Sequence, residues 1–253
     1  MMPPAREATQ FAPAAAVQME TIISDLGRMY QERNQALQEV ARAHHEALFL
    51  LAQAAEYKDD DTGVHIVRIG FLAEAMALFL GQPQDYALTL RKAAPMHDIG
   101  KIGIPDHVLK KPGPFTPQER AIMNRHPLIG ADILGKSRIA LFQMAAEIAL
   151  THHERWDGSG YPNQLAGRAI PLSGRIVSLV DYYDALTMDR VYRPALSHEK
   201  TVEMVQAERG KAFDPDLVDC FVRHSTAIRA LRERVTRTRM AFSDLADIAQ
   251  EAV

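Results

Sequence analysis

Within five residues, His97-Asp98-Ile99-Gly100-Lys101 sets an imidazole, a carboxylate and an ammonium group among apolar neighbours that would bury them. Histidine beside aspartate is common by chance, so the pair gains meaning only from ligand-type residues elsewhere. Five of the ten histidines, His65, His97, His126, His152 and His153, stand in settings suited to one metal site, and Asp98 and Asp181 add carboxylates. Mixed imidazole and carboxylate ligation suits Mn, Fe, Zn or Ni better than Mg or Ca, which prefer all-oxygen shells. So redundant a set also fits a two-metal site, in which a carboxylate such as Asp98 bridges ions about 3.5–4 Å apart. Lys101 follows Asp98 by three residues and His97 by four. On a helix the three would share a face, where the ammonium could meet a phosphate oxygen or a metal-bound hydroxide.

Each residue also has a plainer role open to it. A single histidine on an apolar helix face, such as His65 or His126, is more often a hydrogen-bonded core residue than a ligand. Adjacent histidines such as His152 and His153 diverge by about 100° on a helix and act together only at a helix end or on two metals. Asp181 and Asp184, three apart, also fit a charged helix face, and Lys101 also fits a solvated surface. Spacing therefore points to a metal and names no substrate.

The elements that must position these groups read as helical throughout. Residues 1–16, with Pro3, Pro4 and Pro13, form an expected disordered lead-in. Residues 17–57 lack proline and predict one long helix, in which Ile23, Leu26, Tyr30, Leu37, Val40, Ala47, Leu51 and Ala54 follow an alternating three-four spacing. Arg33 and His44 interrupt that seam. The helix therefore reads either as a coiled-coil dimerisation helix or as one that packs on its own domain. Further helices are expected over 64–80, 85–94, 117–135, 137–153, 175–188, 198–209 and 215–234. Thr116-Pro117-Gln118-Glu119 carries a helix-start signature. No strand-length alternation competes, so the fold class is all-α. A catalytic domain over 58–235 and a helical tail over 236–253 complete the expected organisation.

Composition narrows the function classes. A net charge of −3 gives no basis for binding a nucleic acid polymer. One cysteine, Cys220, excludes an intramolecular disulfide and suits a reducing compartment. No apolar run approaches the ~20 residues that span a bilayer. The expected location is the cytoplasm, without membrane insertion.

Two long runs in order, His97-Asp98-Ile99-Gly100-Lys101-Ile102-Gly103-Ile104-Pro105-Asp106 and His152-His153-Glu154-Arg155-Trp156-Asp157-Gly158-Ser159-Gly160-Tyr161-Pro162, resemble the HD-GYP family of bacterial phosphodiesterases. The likeness continues through Asp61-Thr62-Gly63-Val64-His65, His126, Ile170-Pro171-Leu172, Asp181-Tyr182-Tyr183-Asp184-Ala185-Leu186 and Phe213-Asp214-Pro215, covering about residues 55–220. It implies an HD-superfamily helical domain with two or three divalent ions, Fe or Mn first and Ni or Zn next. The implied reaction is hydrolysis of cyclic di-GMP to pGpG or GMP. Cyclic GMP-AMP as substrate, or a cyclic di-GMP-binding module with little turnover, are the alternatives.

Matched position by position, the resemblance implies metal ligation by His65, His97, Asp98, His126, His152, His153 and Asp181, with Lys101 beside the scissile phosphate. It places Arg190, Arg193, Asp184, Gly160, Tyr161 and Pro162 on the substrate side, and implies that the Gly160-Tyr161-Pro162 loop also meets protein partners. Val191 stands where the family usually has proline. Asp61 stands where trinuclear members carry glutamate, one methylene longer, so a third ion depends on a shorter reach. The long helix implies a homodimer.

Overall fold

The computed structural model describes residues 13–58, 64–189 and 194–238. Helix α1 runs Pro13–Lys58, α2 Val64–Phe79 and α3 Gln84–Ala93. Two 3-10 turns follow, Ala94–Met96 and Ile99–Gly103, then α4 Asp106–Leu109, α5 Pro117–Met123, α6 His126–Gly135 and α7 Ala140–Thr151. After a 3-10 turn at Gly167–Ala169 come α8 Leu172–Leu186, α9 His198–Ala207, α10 Pro215–Arg223 and α11 Ser225–Thr238. The described residues hold no strand, as an all-α fold requires.

Two compact units divide the chain, 1–44 and 45–253, so the boundary falls inside α1 rather than at its end near 57. Ala52 and Ala55 explain this: both are buried in the core of the second unit, with Phe49 packed against it. Leu51, placed on the expected dimer seam, is exposed. In the first unit Ile23, Leu26 and Tyr30 are each about 60% exposed. Part of the expected lead-in is also helical, because α1 begins at Pro13, and proline's fixed φ suits a first helical position.

The core of the second unit is organised around α2. Ile66, Ile69, Leu72, Ala73 and Met76 are wholly buried, and the helix packs against α3, α8 and α11. Helices α6 and α7 pair closely, and α7 also meets α3 and α8. A smaller cluster of Ile104, Val108 and Leu109 sits beneath Phe115, Ile122 and Ile129.

Two expected helices are each broken in two. The segment that starts at the Thr116 capping box stops at Met123, and His126 opens a separate helix with Pro127 in its first turn. A proline at 127 has no N–H to continue the preceding helix, so the break follows from the sequence. The segment over 215–234 divides at His224.

Candidate metal centre

Seven side chains converge from five parts of the fold. His65 lies in the first turn of α2, His126 at the start of α6, and Asp181 within α8. His97 closes the first 3-10 turn and Asp98 caps the second, while His152 and His153 follow the last turn of α7. His152 and His153, adjacent at a helix end, thus turn toward the same group. Two groups result, His65, His97 and Asp181, and Asp98, His126, His152 and His153; within each, the ligand atoms lie within 4.8 Å of one another.

The tautomers decide what these groups can hold. His97 Nδ1 lies 3.0 Å from the Ala94 carbonyl, His126 Nδ1 2.8 Å from that of Met123, and His152 Nδ1 3.0 Å from that of Ala149. A carbonyl only accepts, so each Nδ1 donates, and each neutral ring turns a bare Nε2 inward. The Nε2 atoms of His126 and His152 face each other at 3.4 Å, with Asp98 Oδ1 at 3.2 and 3.6 Å from them. Three acceptors this close repel unless a cation or proton lies among them. His97 Nε2 faces Asp98 Oδ2 at 3.3 Å and Asp181 Oδ1 at 3.8 Å. His97 Nε2 and Asp98 Oδ1 are buried without a hydrogen-bond partner, an arrangement a metal ion satisfies.

Electrostatics agree. Burial pushes the Asp98 carboxyl up, but Lys101 and His97 outweigh it and hold the group well below the usual carboxylate range. Burial lowers His65, yet its bonds to Asp181 and Asp184 raise it well above an ordinary imidazole. Burial and the neighbouring His152 and His126 rings press His153 well down. Lys101 Nζ sits 2.8 Å from Asp98 Oδ2. It reaches there along a 3-10 turn, in which residues three apart eclipse, rather than along the α-helical face expected.

Asp184, expected on the substrate side, is turned into the core behind His65. It is fully buried, accepting from His65 Nδ1 at 2.8 Å, from Arg68 Nε and Nη2 at 2.7 and 2.8 Å, and from Arg232 Nε at 3.0 Å. Both oxygens are committed, and the group orients the His65 ring, as carboxylates behind metal-binding imidazoles do. Gly160 is likewise architectural: a Cβ there would collide with the backbone of Glu154 and Arg155. Tyr161 stacks on the His153 ring, with centroids 4.8 Å apart, and burial keeps its phenol neutral by pushing its pKa up. Pro162 is half-buried beside it. Asp61, Arg190 and Arg193 lie outside the described residues.

Three contributors escaped the sequence reading. Arg68 and Arg232 hold Asp184, and Glu154 accepts from the Asn163 and Leu165 amides at 2.7 and 3.0 Å, pinning the loop after Pro162. Arg68 carried a signal, as a cation three residues after His65 in a helix otherwise apolar there. Glu154 directly follows the paired histidines. Arg232, among the many arginines of α11, carried none.

A largely buried set of imidazoles and carboxylates, most of them at helix ends and turns, in a unit whose described residues form no strand, defines a metal-binding helical domain of the HD type. The HD-domain family pattern matches residues 17–217, and the chain belongs to that family, in its HD-GYP branch. It is 40% identical to a cyclic di-GMP phosphodiesterase of Vibrio cholerae serotype O1, over 88% of this chain and 48% of that protein. It is 38% identical to the 3′3′-cGAMP-specific phosphodiesterase 2 of the same organism, over 85% of this chain and 41% of that one. A crystal structure of a V. cholerae cyclic GMP-AMP-specific phosphodiesterase shares the fold with a TM-score of 0.56 and 20% identity, covering 81% of this chain and 53% of its own. The chain spans about half the length of the curated relatives it matches or less. No helix among the described residues is long and apolar enough to cross a membrane.

Proposed function

We propose that this chain is a metal-dependent phosphodiesterase that hydrolyses cyclic di-GMP, giving pGpG or GMP. The observation that carries the reading is the convergence of the bare His126 and His152 nitrogens on Asp98 Oδ1, with Asp98 Oδ2 turned to His97 and Lys101. Asp98 thus stands between the two ligand groups, where it would be shared by two ions, with His65, His97 and Asp181 on one side and His126, His152 and His153 on the other. Bound divalent ions supply Lewis acidity toward the phosphate and make hydroxide accessible at neutral pH. Lys101 donates to a phosphoryl oxygen as charge grows there. The neutral Tyr161 ring walls the site beside His153. Fe or Mn is the proposed metal, with Ni or Zn next, and a third ion depends on Asp61.

Arg190 and Arg193 are proposed to contact the ligand's phosphates or guanines. The exposed apolar residues of α1 support a parallel homodimer through that helix, and the Gly160-Tyr161-Pro162 loop is the proposed surface for protein partners. A reducing, cytoplasmic setting accords with the single cysteine.

Likeness to a cGAMP-specific relative favours cyclic GMP-AMP as the second reading. Elemental analysis of anaerobically purified protein, with cyclic di-GMP and cyclic GMP-AMP turnover measured side by side on the same sample, tests both. At least two transition-metal ions per chain and faster cyclic di-GMP turnover are expected, both lost in His97→Ala, Asp98→Ala. Turnover surviving in that metal-loaded double variant overturns the assignment.

A further inference from the structure

Lys58, the last residue of α1, is no candidate ligand, yet it reaches the turn that carries Lys101. Its ammonium donates to the Ile102 carbonyl at 2.9 Å and the Ile104 carbonyl at 2.8 Å, and pairs with Asp106 at 3.4 Å. Both carbonyls sit at the C-terminal end of the second 3-10 turn, where helical carbonyls run out of partners and carry the negative end of the dipole. A cation closes such an end. Within the turn, Lys101 N donates to Asp98 O at 2.9 Å and Ile104 N to Lys101 O at 3.0 Å. Asp98 therefore caps one end of a five-residue turn, Lys101 stands at its centre, and Lys58 holds the other end. The remaining face is fixed by packing: a Cβ at Gly100 would strike the His126 carbonyl and the Gly130 nitrogen. Three-quarters of the Lys58 side chain is withdrawn from solvent, so its bonds are partly shielded.

We propose that Lys58 is a positioning residue: it holds the turn over 99–103 so that the Asp98 carboxylate and the Lys101 ammonium keep their register in the ligand cluster. The last turn of α1 thereby becomes a control point for turnover, since shifting it withdraws the clamp. This deepens the phosphodiesterase reading and rests on it.

The test uses the full chain as parent, Lys58→Met, Lys58→Arg and Asp106→Asn, with two readouts. In metal-loaded protein acting on cyclic di-GMP, Lys58→Met is expected to lose about tenfold in kcat, with KM within about twofold and metal content unchanged. Lys58→Arg keeps the donors and recovers most of kcat, and Asp106→Asn stays at the parental value. In metal-free protein, hydrogen exchange at the Lys101 and Ile104 amides is expected to be about tenfold faster in Lys58→Met, the scale of losing hydrogen bonds from a charged donor, with α7 unchanged. Parental kcat in Lys58→Met, equal loss in Lys58→Arg, a loss accounted for by missing metal, or unchanged exchange at both amides overturns the proposal. Should the parent fail to turn over cyclic di-GMP, the substrate reading falls, while unchanged or faster exchange still decides the clamp.

Discussion

The imidazoles of this centre are held in two different ways. His97, His126 and His152 lean on carbonyls of the backbone three or four residues earlier, so each ring is oriented by the same local chain that presents it. His65 leans on Asp184, 119 residues away, and Asp184 is itself held by arginines from α2 and α11. Main-chain anchoring needs only the correct turn. Side-chain anchoring needs three helices packed in register and a buried charge balance. The first is insensitive to side-chain identity at the acceptor; the second concentrates its dependence on a few residues.

The sharpest break of this contrast is Asp184→Ala. It leaves Arg68 buried and Arg232 nearly so without their counter-charge, and is expected to destabilise the domain by about 3–5 kcal/mol in urea melts. Asp184→Asn keeps the shape and isolates the charge. Burial pushes the Asp184 carboxyl up, but the bond from His65 and the Arg68 guanidinium bring it down to about 2. A depressed carboxylate gives its full stabilisation above its unfolded pKa of about 3.9 and loses it as pH falls through the folded value. Metal-free parent should therefore lose stability between about pH 4 and pH 2 more steeply than Asp184→Asn. Equal acid slopes would remove the charge from the argument.

A smaller effect is expected at His153, whose ring rests on Tyr161 rather than on a carbonyl. Tyr161→Ala should lose the stack, worth about 0.5–1.5 kcal/mol beyond the apolar area it uncovers, and weaken metal retention, while Tyr161→Phe, which keeps the stack, should match the parent. Smallest of all is Met123→Leu. Because His126 uses the Met123 carbonyl, this volume-conserving change should cost under about 1.5 kcal/mol and leave metal content unchanged. Loss of metal in Met123→Leu would show that the side chain, not the main chain, sets the ring.

The same division separates what could be read in the sequence from what could not. The helical class was legible because apolar periodicity is local. The seven ligand-type residues could be named because they fall in long runs that resemble a known family, and the structure brings them into two groups. Pro127 marked the break before His126, and only a continuous reading of the helix over 117–135 missed it. The burial of Asp184 was not legible, because its partners are far away in the chain. Its buried side meets Arg68 and Arg232, contacts spanning 116 and 48 residues. Gly160 gave no local sign of its close approach to Glu154, which exists only once the loop folds back.

Arg232 has a consequence for where this domain ends. The family pattern stops at residue 217, and every candidate ligand lies before that point. Arg232 lies beyond it, bonding Asp184 and, at 2.6 Å, the carbonyl of Thr187. A chain cut at 217 would retain all seven ligand-type residues and still lose one of the two guanidinium groups that keep Asp184 behind His65. The strut that keeps Asp184 in place lies in α11, fifteen residues past the end of the family pattern.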